Sequence, residues 1–204
     1  MTAHRATIRR TALTATAVLA ALALSACGSD GHAMGSMESD SAPTASVGGH
    51  NTADVSFSTE MIQHHRQAID MAALVDNRAS SQDVKDLATK IEAAQDPEIE
   101  TMSGWLTAWG EKLPEDMSGS GHDMTSAMPG MMSGADMDKL ESASGTEFDK
   151  MFLDMMVQHH EGAIEMAKTE RTDGEYGPAT RLADDVVTAQ TAEIGQMNGM
   201  LGQS

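Results

Sequence analysis

Met61-Ile62-Gln63-His64-His65 and Met156-Val157-Gln158-His159-His160 each set a thioether three residues ahead of one imidazole and four ahead of the next. Residues three and four apart are neighbours on a helix face, so Met61 flanks both histidines of its pair, as Met156 does in the second copy. Adjacent helical residues are turned by about 100°. His64 and His159 therefore fall on an inward stripe, with His65 and His160 on its shoulder. Met71 and Met166 lie seven residues beyond His64 and His159, on the same face but two turns away. Thioether sulfur with imidazole nitrogen suits copper, chiefly Cu(I), and does not suit iron, magnesium or calcium. Zinc would use the imidazoles but make little of the sulfur.

One helix cannot close a compact site with both Met61 and Met71. Two such helices packed face to face bring Met61, His64 and Met71 together with Met156, His159 and Met166 near a shared axis. The sequence supplies two. Phe57–Ala72 and Phe152–Ala167 match at an offset of 95 residues, which also relates Leu87 to Leu182, Gln95 to Gln190, Glu98 to Glu193 and Met102 to Met197. An internal repeat of this kind dictates the architecture: two helix pairs, joined into one chain. In ferritin-like bundles, metal sites use Glu-x-x-His on a helix; here a soft sulfur stands in place of the hard carboxylate.

The elements that must carry these residues follow from the patterning. A stripe of Phe57, Met61, His64, Ala68, Met71 and Val75 predicts a first helix from about Asp54 to Asp76. Ser80-Ser81-Gln82-Asp83 has the form of a capping box for a second. That helix carries Val84, Leu87, Ile91, Ile99, Met102 and Leu106, with a kink or break expected at Asp96-Pro97. Ser144–Glu147 reads as another capping box, opening a third helix to about Arg171. Pro178 suits the first turn of a fourth helix ending near Gly199–Gly202. Nothing reads as a strand. The expected fold is all-α, an antiparallel four-helix bundle of two helix-pair repeats.

Residues 112–143 interrupt the repeat. Met117, His122, Met124, Met128, Met131, Met132 and Met137 sit among Gly, Ser and Asp without an apolar stripe. Exposed methionines are an oxidation liability, which favours a metal-collecting loop over a neutral linker. Its deletion is expected to cost little stability.

The first 26 residues have the layout of a secretory signal: Arg5, Arg9 and Arg10, then the small apolar run 11–24. Leu24-Ser25-Ala26-Cys27 resembles a bacterial lipobox, which implies cleavage before Cys27 and lipid on its sulfur. Residues 27–52 are rich in Gly, Ser and Ala and read as a flexible tether, leaving 53–203 as the bundle. Cys27 is the only cysteine of the 204 residues, so a lipidated chain has neither disulfides nor thiolate ligands. The 13 basic and 31 acidic residues give a net charge of −18; removing the three signal arginines leaves 10 against 31, or −21. Nucleic acid and anionic lipid would repel such a chain, and cations would gather around it.

The doubled motif Met-Ile/Val-Gln-His-His…Ala-Ile-Asp/Glu-Met-Ala, followed by Gln95-x-x-Glu98-Ile99-x-x-Met102 and its second copy ending in Met197, resembles the bacterial "domain of unknown function 305" family over about residues 53–202. The resemblance implies a ferritin-like helical bundle, and some members are extracytoplasmic copper-binding proteins linked to copper tolerance. Carried onto this chain, it points to Met61, His64, His65 and Met71 with Met156, His159, His160 and Met166. Met102 and Met197 join them as further candidates. The family's usual proline before His-His is Gln63 and Gln158 here, which leaves the helix more regular.

The expected protein is a lipid-anchored, extracytoplasmic copper binder that buffers or transfers copper without turnover. A copper-handling protein partner and self-association stay open as partners. A bundle metal oxidase, such as one oxidising Cu(I), and a metal-free helical interaction module are the rival readings. The motif carries no bridging carboxylate and no nucleophile–base pair that would support the first.

Overall fold

The computed structural model describes residues 49–115 and 128–202. The predicted signal, Cys27, most of the tether, and Met117, His122 and Met124 lie outside them. The described chain is helical: α1 (Thr52–Ala73), α2 (Val75–Arg78), α3 (Gln82–Trp109), α4 (Gly134–Ser142), α5 (Gly145–Asp173) and α6 (Gly177–Leu201). No strand is formed among the described residues beyond an isolated bridge between Ala79 and Gly145.

Local signals set several of these boundaries. Asn51 caps α1 with a reciprocal box: its Oδ1 accepts from the Ala53 N–H at 2.8 Å, and Asp54 Oδ2 accepts from the Asn51 N–H at 2.6 Å. His50 stacks on Trp109 at 4.4 Å, so the last residues expected in the tether already belong to the packed domain. α3 does not use the expected capping box. Asp149 of α5 instead accepts from the backbone N–H of Ser80 and Ser81, each at 3.0 Å, and from the Ser80 hydroxyl. A charge-assisted acceptor is the stronger partner for these donors. Ser144 precedes α5 but its side chain makes no capping bond either. Of the kink or break expected at Pro97, the break does not occur, and α3 runs continuously from Gln82 to Trp109. One missing donor on an exposed face is outweighed by the buried Ile91, Gln95, Met102 and Leu106 on either side. Gly202, at φ +70°, closes α6 in the left-handed conformation that glycine adopts without strain.

α1 pairs with α3, α5 pairs with α6, and α1 packs against α5 across the two repeats. Two apolar clusters reveal how. In one, Met71 and Ala72 from the end of α1, with Val75 of α2, meet Phe148, Phe152 and Met156 from the start of α5. In the other, Phe57, Met61 and Ile62 from the start of α1 meet Ala163, Met166 and Ala167 from the end of α5. The two repeat helices thus cross antiparallel, and their midpoints are the paired histidines. Each fully buried Leu, Ile, Phe or Met contributes about 1.5–3 kcal/mol, so these clusters hold the crossing against the polar layer between them.

The methionine-rich link is part of this packing. Met128, Met132 and Leu140 are buried, and Gln67 clamps Met132 through both backbone groups, accepting from its N–H at 2.7 Å and donating to its carbonyl at 2.9 Å. The segment crosses α5 at Gly162, where an added Cβ would sit 2.1 Å from the Pro129 carbonyl oxygen. Gly130 faces it at φ +76°. The expectation of a loop with nothing to bury fails for residues 128–143.

Candidate metal centre

His64, His65, His159 and His160 are all fully buried, or within 1% of it. The shoulder placement expected for His65 and His160 gives way to a second inward direction, towards α3 and α6. His64 and His159 meet at the crossing with ring centroids 3.7 Å apart. His65 Nε2 lies 2.6 Å from Glu98 Oε2, and His160 Nε2 lies 2.7 Å from Glu193 Oε2. His64 Nε2 lies 3.0 Å from the Pro129 carbonyl oxygen, to which only a ring N–H can donate. In each of these three rings the bond engages Nε2 and leaves Nδ1 without a partner; His159 has a partner on neither nitrogen.

Imidazoles in this state have lone pairs free to accept a cation. A metal-bound histidine characteristically donates its other ring N–H to a carboxylate or a backbone carbonyl, fixing the tautomer and leaving the second nitrogen's lone pair for the ion. Burial, then the neighbouring His65, pushes the His64 pKa down to about 3, against the opposing pull of the Pro129 carbonyl. Burial and then His64 likewise hold His159 well below the ordinary histidine range; the His64 backbone nearby offsets this without reaching hydrogen-bond geometry. Both rings are therefore neutral at physiological pH, the form that ligates metal. Five buried ring nitrogens without a partner are far from the hydrogen-bonded state of an ordinary core histidine. At about 1–3 kcal/mol each, they amount to a sizeable share of a small domain's stability. Gln95 and Gln190, the repeat-related residues on α3 and α6, add two further unpartnered buried oxygens to the layer.

The methionines take a different arrangement from the one expected. Met61 and Met71 do not converge on one point. Met61, Met102 and Met166 belong to one apolar cluster, and Met71, Met156 and Met197 to the other. The antiparallel crossing is the cause, since it pairs the start of each repeat helix with the end of its partner. Each set of three repeat-related methionines, a triad by sequence equivalence, comes from three helices and shares its apolar cluster with further methionines, Met128 in one and Met132 and Met155 in the other. Among the described residues, no three or more His, Cys, Asp or Glu side chains converge as a metal site by themselves. The donors near the histidine layer are imidazole nitrogen and thioether sulfur, a set that fits a soft cation.

Sequence reasoning missed the roles of Glu98, Glu193, Gln95 and Gln190, and that of Pro129. The signal for the first four was present, because all of them recur at the same 95-residue offset as the histidines.

A repeat bundle crossing at a buried histidine layer between methionine triads defines the class of protein. Residues 54–201 match the family described as "Domain of unknown function (DUF305)", and the chain belongs to that family. A DUF305 fragment from Deinococcus radiodurans is 31% identical at TM-score 0.67, covering 76% of this chain and 98% of that one. A DUF305 protein from Streptomyces coelicolor, provisionally described as secreted, is 32% identical at TM-score 0.66, covering 74% and 93%. CopM in its Cu(II)-bound form is 34% identical at TM-score 0.61, covering 72% and 94%. CopM has also been solved bound to Cu(I) and to silver. No curated protein matches the sequence.

Proposed function

We propose that this protein binds copper outside the cytoplasm and buffers or hands it on, with copper as cargo rather than as the cofactor of a reaction. The observation that carries the reading is the His64–His159 contact, two neutral, buried imidazoles with three of their four nitrogens unpartnered. Thioether triads stand on both sides of it. Met61, His64, Met102 and Met166 would serve one half of the centre, and Met156, His159, Met71 and Met197 the other. His65 and His160, oriented by Glu98 and Glu193, complete it. Sulfur-rich ligation favours Cu(I), and the imidazoles alone can retain Cu(II). Copper- and silver-bound CopM, related in fold and at about one third identity, supports the metal class. A lipid on Cys27 would hold the domain at the outer face of the cell membrane. Among the described residues no helix is long and apolar enough to cross one.

The test is a Cu(I) titration against a competing chelator. Met61→Leu with Met156→Leu removes two sulfurs at nearly constant volume. The variant should stay folded, lose tight Cu(I) binding and keep more Cu(II). A folded variant with undiminished Cu(I) affinity would falsify the centre.

A further inference from the structure

The bundle's near-twofold symmetry is broken where α1 begins and α5 ends. There a cavity of about 210 Å³ opens, with Glu60, Glu165 and Thr169 at its mouth and Met166, Glu170 and Pro129 further in. That is far more than the ~10–15 Å³ a single water requires, so it has room for an ion with part of its hydration shell. Glu170 is 1% exposed, and no protein donor reaches either of its carboxyl oxygens. A buried carboxyl in that state holds its proton, which faces Asp54, and leaves Glu60 and Glu165 as the charged groups of the cavity. Met166, at 8% exposed, is the one accessible member of the two triads; Met61, Met71, Met102, Met156 and Met197 are all at 0%. Pro129 closes the inner wall, and its carbonyl is the group that meets His64.

The positions 95 residues away are filled. Met155 stands for Glu60, Leu74 for Thr169, Val75 for Glu170 and the fully buried Met71 for Met166. These side chains pack with Phe148, Met132 and Leu140 into an apolar cluster. Asp70, the counterpart of Glu165, is likewise an acidic residue. The two ends share a skeleton, yet one opens into a cavity rimmed by carboxylates while the equivalent positions of the other pack into an apolar cluster.

We infer that this cavity is the entrance through which a hydrated copper ion reaches the buried centre, with Glu60 and Glu165 gathering the cation and Met166 as its first sulfur contact. The inference rests on the copper-binding reading above. It assigns separate tasks to the two ends of the bundle: ions are exchanged at the α1 start and α5 end, and the opposite triad is reached only through the histidine layer. Acidic clefts with low-dielectric walls raise cation on-rates by focusing the field.

The experiment measures the rate and the end point of Cu(I) uptake by the full domain from a coloured Cu(I)–chelator complex. Ionic strength is held near ~0.15 M, where screening over about 8 Å leaves only the mouth carboxylates to act. Glu60→Gln with Glu165→Gln should slow loading at least about threefold, with little change in the copper bound at equilibrium. Glu141→Gln with Glu147→Gln removes the same charge from exposed positions at the far end and should load like wild type. Thr169→Trp, which blocks the mouth without removing charge, should slow loading too, with helicity checked by circular dichroism. If both mouth variants load at the wild-type rate and reach the wild-type end point, the entrance is refuted and the copper centre stands. A wild-type protein that takes up no copper would overturn the centre, and the entrance with it.

Discussion

Replacing Glu170 with glutamine should make the fold more stable at neutral and alkaline pH and should flatten its pH dependence. Glu170 faces Asp54, whose oxygens already accept from the backbone N–H groups of Asn51, Glu175 and Tyr176. Burial, and then the Asp54 carboxylate, push the Glu170 pKa from its ordinary 4.5 up to about 8. The folded chain therefore retains a proton that the unfolded chain releases. Stability must fall as pH rises through the window from about 4.5 to 8 and level off above it. At about 1.36 kcal/mol per pH unit, the roughly 2.5 units between the unfolded pKa and pH 7 correspond to about 3.4 kcal/mol. The adjoining cavity admits water to the carboxylate, so about half of that, ~1.5–2 kcal/mol, is the expected loss. A glutamine amide donates to Asp54 at every pH and has no proton to lose. Denaturant unfolding of both proteins from about pH 5 to pH 8 should give curves that start close together and diverge by ~1.5–2 kcal/mol, the variant being the more stable at the alkaline end. Parallel curves would refute the buried carboxyl pair as the source of the dependence.

Three further outcomes can be checked. Glu98→Gln with Glu193→Gln removes the carboxylates that orient His65 and His160, and copper affinity in the competition titration should drop about 10–100-fold with helicity unchanged; an unchanged affinity would remove both rings from the centre. Gly162→Ala drives a Cβ against the Pro129 carbonyl, 2.1 Å away. It should cost about 1–3 kcal/mol in unfolding experiments, and a change within ~0.3 kcal/mol would mean that residues 128–132 do not pack on α5 as described. Cys27→Ser should abolish lipid attachment and release the protein from the membrane fraction; unaltered partitioning and mass would end the lipoprotein reading.

Much of the fold was legible in the sequence because the repeat fixes both helix pairs at once, and because the stripe from Phe57 to Val75 has a single face to bury. The helix starts were read in the right places, but not their capping partners. Ser80-Ser81 has the local form of a cap, yet its donors are taken by Asp149, a residue 68 positions or more away that no local pattern reveals. The histidines were found from their spacing, whereas the sorting of the methionines was not. A helical wheel shows that Met61 and Met71 share a face but not that the partner helix runs the opposite way, and that direction sends them to different clusters. Met128 and Met132 look like linker residues because their burial depends on Gly162 and Gln67, far along the chain and on separate helices. Glu98 and Glu193 were seen as repeated residues but not as histidine partners, since the ring nitrogen each meets lies 33 residues away on another helix.

The seam between the two helix pairs bears on how such a molecule can change over generations. Two identical hairpins meeting at a histidine pair would form a symmetric homodimer, in which every substitution is made twice. Acidifying one mouth would acidify both, and plugging one would plug both. Joined in a single reading frame, the copies are free to diverge, and this chain has used that freedom at Glu60 and Met155, at Glu170 and Val75, and at Gln67 and Gly162. Fusion thus converts a shape with two equivalent faces into one with a front and a back, while the residues at the shared midpoint stay under the same constraint in both copies.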